Sequence, residues 1–344
     1  MLARRIEMRK FATIIDVARE AQVSIKTVSR VFNDEPTVRP TTRDRVKAAA
    51  ALLHYHPNVI AQGLVSRRSY LLGLFYENPS PNYVVELQKG AFDRLRNERY
   101  RLVVLPVESI ESVADNIVGL VRSTALDGVI LTPPASDNPT ILRNLQDAQF
   151  PFVRIAATTS LEIGPHNTTD DVAAARSLVE YLIGLGHRRI GMIKGDETHG
   201  SSHARTIGYR LALGDAGIPV DEQLIEQGKF NFESGLEAAK LLLALPEPPT
   251  AIFAQNDDMA AGAIAAAHDQ GLIIPDELSV VGYDDSAIAK IVYPRLTTIH
   301  QPVREMAHGA ADMLVAMVED KPYSELVDHP FSLVVRESAG PAPA

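Results

Sequence analysis

The stretch that decides the fold of the N-terminal part runs Ala12-Thr-Ile-Ile-Asp-Val-Ala-Arg-Glu-Ala-Gln-Val-Ser-Ile-Lys-Thr-Val-Ser-Arg-Val-Phe-Asn33. Thr13 stands where a helix wants a capping hydroxyl, and Asp16 follows three residues later, the spacing of a capping box. Ser24 is placed to cap a second helix. Only Gln22 and Val23 lie between the two, which is helix-turn-helix spacing. Val17, Ala18 and Ala21 give the first helix one apolar face, and Val28, Val31 and Phe32 give the second a matching one. Opposite that face stand Ile25, Lys26, Ser29 and Arg30, early in the second helix. In this motif the start of the second helix enters the major groove. Lys26 and Arg30 suit guanine edges, and Ile25 suits a thymine methyl. Pro40 fits the first turn of a third helix running to about His54. From spacing alone, a three-helix bundle that binds no DNA remains an equal reading.

Outward from this head the chain changes character. Up to Ser69 there are 13 Lys and Arg against 6 Asp and Glu; beyond it, 21 basic residues face 37 acidic ones. A basic head on an acidic body points to nucleic acid at the head alone. With 344 residues, two or three domains are expected. No apolar run is long enough for a membrane span, and Met1–Lys10 lacks the apolar core of a secretory signal. The absence of cysteine excludes disulfides and zinc fingers and fits a cytoplasmic protein.

From Leu71 onward, short Val-, Ile- and Leu-rich runs alternate with helix-length segments. They are Leu71–Tyr76, Leu102–Pro106, Gly128–Thr132, Phe152–Ala156, Ile190–Lys194, Ala251–Ala254, Ser279–Tyr283, Thr297–Gln301 and Ser332–Arg336. This pattern predicts parallel strands in a doubly wound α/β architecture, and about nine strands are enough for two sheets. The closing Gly-Pro-Ala-Pro-Ala344 reads as disordered.

The string Thr13-Ile-x-Asp-Val-Ala…Val-Ser-x-x-Thr-Val-Ser-Arg-Val-x-Asn33, then Thr42-Arg-x-x-Val46 and Pro57-Asn58-x-x-Ala61-x-x-Leu64, resembles the lactose-repressor (LacI-type) family of regulators. The likeness spans nearly the whole chain. It implies an all-α helix-turn-helix head followed by two doubly wound parallel-sheet lobes of the type I periplasmic-binding-protein kind. The expected division is residues 1–55 for the head and 56–69 for a hinge. One lobe then takes 70–165 and 300–328, and the other 166–299 and 329–340. DNA contacts are implied for Thr13, Ser24, Ile25, Lys26, Thr27, Ser29, Arg30 and Asn33. In such families the connector is a hinge helix whose leucine, here Leu64, wedges into the minor groove with Asn58 and Ala61 as supports; an apolar wedge of this sort unstacks a base step and bends the duplex. Gln62 departs from the family's frequent arginine, and Gly63 inside the helix costs about 1 kcal/mol of propensity. A plain flexible linker is the other reading of 57–66.

Ligands of open α/β sheets sit at the carboxyl ends of strands. Residues after each run, read with the resemblance, give the effector candidates Asn78, Tyr83, Arg154, Ser201, Arg205, Phe230, Asn256, Asp257 and Asp284. Arg, Asn and Asp offer paired donors and acceptors for vicinal hydroxyls, so a sugar suits them. Tyr83 and Phe230 would cover the apolar face of a ring. Arg205, Asn256 and Asp284 carry the main expectation, because they converge from separate strand ends. Asp257 reads equally as a helix cap, Asp285 as a residue serving its own turn, and His199 and His203 as loop residues. Arg154, a cation placed at the cleft, suggests an acidic sugar.

No Gly-x-Ser-x-Gly, Gly-Lys-Ser/Thr, His-Glu-x-x-His or dinucleotide fingerprint occurs, so neither an enzyme nor a cofactor is expected. A free sugar-binding protein would have no use for a basic helical head. The expected partners are palindromic operator DNA, a small-molecule effector of sugar type and a second copy of the chain, with no membrane. The tail carries no heptad helix for a tail-built tetramer.

Overall fold

A capped pair of helices opens the described residues, as the sequence predicts. The computed structural model describes residues 12–32, 35–55, 68–77 and 80–343. Helices α1 (Ile14–Glu20), α2 (Ile25–Phe32) and α3 (Pro40–Leu52) form the first of two compact units, Met1–Tyr70. The Asp16 carboxylate accepts from the Thr13 N–H at 2.9 Å and from its hydroxyl at 2.7 Å. Ser24 Oγ accepts the Thr27 N–H at 3.1 Å. Gln22 takes a left-handed conformation (φ 51°) and makes the turn. Val17, Ala18, Ala21, Val28 and Val31 meet Val46, Ala49 and Ala50 of α3 in one small core. The third helix stops at Leu52, short of the expected His54, because His54 is itself left-handed (φ 48°).

The second unit, Leu71–Ala344, holds two sheets. The first is built from β1 (Leu71–Glu77), α4 (Pro81–Leu95), β2 (Arg101–Val107), α5 (Ile110–Ala114), α6 (Ile117–Ser123), β3 (Gly128–Leu131), α7 (Pro139–Asp147), β4 (Phe152–Ile155) and β5 (His166–Thr168). The chain then enters the second with α8 (Asp171–Gly184), β6 (Ile190–Lys194), α9 (Gly200–Asp215), β7 (Ile225–Gln227), α10 (Phe232–Leu243), β8 (Ala251–Ala254), α11 (Asp257–Asp269), β9 (Ser279–Asp284), α12 (Ala287–Ile291) and β10 (Thr297–His300). Helix α13 (Val303–Val318) and β11 (Leu326–Asp328) return to the first lobe, and β12 (Ser332–Val334) ends on the second. The strand orders are β11-β5-β4-β3-β1-β2 and β12-β10-β9-β8-β6-β7. Every pairing is parallel except β10 with β12. The central strands β3, β4 and β8 are buried throughout, as parallel strands covered by helices on both faces must be.

Twelve strands stand among the described residues where nine were expected. The three extra ones, β5, β7 and β11, have three residues each, and β7 and β11 lie at sheet edges. Because β5 pairs with β4, the chain leaves the first sheet after Thr168 rather than at 165. The tail is also held, against the expectation of disorder. Ala342 N–H donates to Leu185 O at 2.9 Å, and the buried His187 ring contacts Gly340 O at 3.1 Å.

In each lobe the chain steps outward along the sheet and then returns past its first strand. The switch points fall between β1 and β3 in one sheet and between β6 and β8 in the other. A crevice opens at the carboxyl ends of strands at such a point, so the topology places one half of a ligand site on each lobe.

Candidate functional site

An open cleft with a cavity volume of about 160 Å³ lies between the lobes. Its first wall carries Glu77 at the end of β1, Ser80 and Tyr83 around the start of α4, Pro133 beyond β3 and Ala156 beyond β4. The facing wall carries Asp196, His199, Ser201, Arg205, Lys229, Phe230, Asn231, Asn256 and Asp284, and Gln301 closes it from the crossover after β10. Both switch points therefore contribute.

Arg205 anchors the second wall. Its Nε donates to Asp171 at 2.8 Å, one Nη donates to Gln255 O at 2.6 Å, and the guanidinium lies 3.6 Å over the Tyr283 ring. Nη2 has no hydrogen-bond partner among the described residues. The pairing with Asp171, though opposed by burial, holds the guanidinium well above its ordinary pKa, so it stays charged. Asp284 faces the same space with a left-handed backbone (φ 112°) and a carboxylate that accepts no hydrogen bond among the described residues. Burial, against the pull of Arg205, raises its pKa well above the carboxylate range. The two side chains form no ion pair with each other.

Asn256 caps α11, its Oδ1 accepting the Met259 N–H at 2.9 Å and its amide donating to Phe230 O at 2.9 Å. That second bond holds Phe230, which sits edge-on to His199 at 5.3 Å between centroids. A Cβ at Gly195 would overlap the Phe230 ring, so the residue after β6 has to be glycine. Tyr83 lines the opposite wall, and burial raises its hydroxyl pKa. Across the cleft, Ser80 Oγ donates to Asp258 of α11 at 2.5 Å, a direct bond between lobes.

Two of the expected residues serve elsewhere. Arg154 is fully buried and spends all five donors inside its own lobe: on Ser136 O (2.6 Å), Ser160 O (2.7 Å), Ile163 O (3.0 Å), Thr159 O (2.5 Å) and Asp137 Oδ1 (3.1 Å). It shapes the loop behind the wall and offers the cleft no charge, which removes the reason for an acidic sugar. Asp257 is 1% exposed; its two oxygens accept the Thr298 hydroxyl (2.6 Å) and the Ser286 N–H (2.7 Å), fastening β10 and the turn after β9 behind the cavity. Burial pushes its carboxyl up to about 7. Asp285 pairs with Arg336 at 2.5 Å and contacts the His300 ring at 3.3 Å, away from the ligand space. Asn78 lies outside the described residues, as do Asn33, Asn58, Ala61 and Leu64.

Ser201, Arg205, Phe230, Asn256, Asp284 and Tyr83 do converge on the cleft. Glu77, Ser80, Asp196, Lys229, Asn231 and Gln301 were missed, and His199 was set down as a loop residue. Glu77, Asp196 and Gln301 close or follow strand runs and could have been found by the rule that found the others. Lys229 and Asn231 follow the three-residue β7, which periodicity could not detect.

In the head, Ile25 is 48% exposed, Lys26 and Arg30 are exposed, and Thr27 and Ser29 are half-buried on the same helix. Arg30 Nε lies 3.2 Å from Glu35. Thr13 and Ser24 use their hydroxyls in the caps.

Comparison with known proteins agrees with this architecture. Residues 13–58 match the model for bacterial regulatory proteins of the lacI family, and residues 179–339 match that for a periplasmic binding protein-like domain. Catabolite control protein A of Priestia megaterium is 33% identical over 330 residues, covering 95% of this chain and 98% of that protein. The chain belongs to the LacI family of DNA-binding transcriptional repressors; its relatives are regulators, and it is not an enzyme. Among solved structures, the lac repressor dimer bound to operator and the anti-inducer ONPF superposes with a TM-score of 0.83 at 27% identity, over 96% of this chain and 100% of that one. The complex of the transcriptional regulator CelR with cellobiose gives 0.72 at 29%, over 95% and 99%. No helix among the described residues is long and apolar enough to cross a membrane.

Proposed function

We propose that this chain is a cytoplasmic repressor of sugar-utilisation genes that binds a palindromic operator as a homodimer, one head per half-site, and that a carbohydrate held between the lobes sets its operator affinity. The observation that carries this reading is the pair Arg205 and Asp284. A guanidinium nitrogen and a carboxyl group, both without partners among the described residues, are held facing one cavity where strand ends of both lobes meet. A sugar's vicinal hydroxyls supply the donors and acceptors this pair lacks. The solved structures with cellobiose and with ONPF support a ligand of this type. On this reading Ile25, Lys26, Thr27, Ser29, Arg30 and Asn33 read the half-site, while Asn58, Ala61 and Leu64 of the 56–69 connector enter the minor groove. Ser201, Asn256, Phe230 and Tyr83 surround the ligand.

Effector binding changes the relative affinity for DNA by a coupling of about 1–3 kcal/mol, typical of allosteric proteins. The test is a gel shift on a palindromic operator with and without a sugar panel. The native chain is expected to bind the operator and respond to at least one sugar. Asp284→Asn is expected to bind operator equally and lose the response. A chain whose operator affinity no sugar changes would defeat the carbohydrate assignment.

A further inference from the structure

We infer that the ligand of this cleft is a hydroxyl-rich saccharide without an anionic group, and that the cleft is built to turn away its uronate and phosphate counterparts. This rests on the reading of the cleft as a carbohydrate site. Three carboxyl groups line the cavity, Glu77 from one lobe and Asp196 and Asp284 from the other; burial holds Asp284 in its neutral form, so the fixed negative charge rests on Glu77 and Asp196. The cations do not balance them. Arg205 is already paired with the buried Asp171 at 2.8 Å, and Arg154, the other buried arginine, has no donor left for a ligand. Burial, against the pull of Asp196, lowers the His199 pKa, which keeps that ring neutral near pH 7. Lys229 alone remains, on the exposed edge.

The hydrogen-bonding inventory points the same way. Glu77 Oε2 accepts the Ile110 N–H at 2.7 Å, and its other oxygen has no partner among the described residues. Asp196 Oδ1 accepts the Thr198 N–H and hydroxyl at 2.9 and 2.6 Å, and its other oxygen is likewise open. Gln301 is 3% exposed, and its Oε1 is buried with no donor. Unpartnered acceptors therefore face the space from both lobes. A neutral sugar presents hydroxyl donors to every one of them, and hydroxyl bonds to carboxylates are the stronger, charge-assisted kind. A uronate or sugar phosphate replaces a donor with a further anion, in a site where like charges are poorly screened. Burial, the nearby Glu111 and Asp196 across the cleft hold Glu77 above the ordinary carboxylate range, against the pull of the Ile110 N–H, so the site already bears some of that repulsion.

The experiment is calorimetric titration of the full chain with matched sets: glucose, glucuronate and glucose 6-phosphate; galactose and galacturonate; cellobiose, maltose and their aldonates. Each set's neutral member is expected to bind at least about tenfold tighter than its anionic partners, since like-charge juxtaposition costs several kcal/mol. The double variant Glu77→Gln/Asp196→Asn is expected to narrow that gap while still binding the neutral sugar. A uronate or phosphate sugar that binds as tightly as its parent overturns the inference, and so does an unchanged gap in the double variant. Silence across all sets, neutral members included, instead overturns the carbohydrate assignment beneath it.

Discussion

Asp171, the first residue of α8, accepts the Nε of Arg205 from α9 at 2.8 Å, with each side chain 5% exposed, and the same carboxylate oxygen accepts the Tyr283 hydroxyl at 2.7 Å. This junction ties two helices and the end of β9 together directly behind the cleft. It fixes the guanidinium so that its remaining nitrogen faces the ligand space. A preorganised group of this kind binds without first losing rotamer freedom.

Asp171→Ala therefore leaves a buried guanidinium without its counter-charge. Removing one partner of a buried pair costs about 3–5 kcal/mol. Urea unfolding of the body is expected to register a loss of that order. The double variant Asp171→Leu/Arg205→Met should recover much of it and bind no effector. A loss below about 1 kcal/mol, the scale of an exposed pair, would show that the junction is not what holds this wall.

Asp257 makes stability depend on pH in a stated direction. Burial raises its folded pKa to about 7, opposed by the bonds from Thr298 and Ser286. An unfolded aspartate titrates near 3.9, roughly three units lower. The folded state thus holds the proton more tightly. Its contribution is full below about pH 4 and is lost as pH climbs through about 7. Unfolding free energies measured at several pH values between about 5 and 8 are expected to fall more steeply for the native chain than for Asp257→Asn. Parallel slopes would rule out Asp257 as the source.

The caps of the head are local and should be measurable as such. Ser24→Ala removes the acceptor for the Thr27 N–H, and Thr13→Ala removes the hydroxyl held by Asp16. Each is expected to cost about 1 kcal/mol, within a range of about 0.5–2. Operator binding should weaken in proportion at temperatures where the head begins to melt. Full stability of both variants by circular dichroism would mean the caps are ornamental.

Arg30 is paired with Glu35 at 3.2 Å, with both side chains more than 40% exposed. Such pairs contribute about 0–1 kcal/mol, whereas a bidentate guanine contact is worth about 1–3. The pair should yield to DNA. Arg30→Ala is expected to lower specific operator affinity by about tenfold or more and relax preference at one base position, with the fold intact. A uniform loss across all sequences, accompanied by a smaller salt slope, would instead place Arg30 on a phosphate.

How much of this was legible without coordinates follows from the range of the forces involved. The capping pairs Thr13–Asp16 and Ser24–Thr27, the apolar faces of α1 and α2 and the interiors of nine strands were readable because each is decided within a few residues of chain. The candidates Arg205, Asn256 and Asp284 were readable because ligands gather at strand ends, and strand ends show in the pattern. Tertiary structure alone decided the rest. Strands β5, β7 and β11 are too short to have periodicity, and only pairing with a neighbour makes them strands. Arg154 was placed correctly at a strand end, yet it turned inward because five acceptors drawn from residues 136–163 surround it there. Gln301 faces the cleft because the chain crosses between lobes at that residue, and the tail is ordered because His187, more than 150 positions earlier, reaches it. Local sequence determines which elements form and where their ends fall. Which side chains keep an unspent donor or acceptor depends on every neighbour that folding brings to them, and that is what distinguishes a ligand group from a strut.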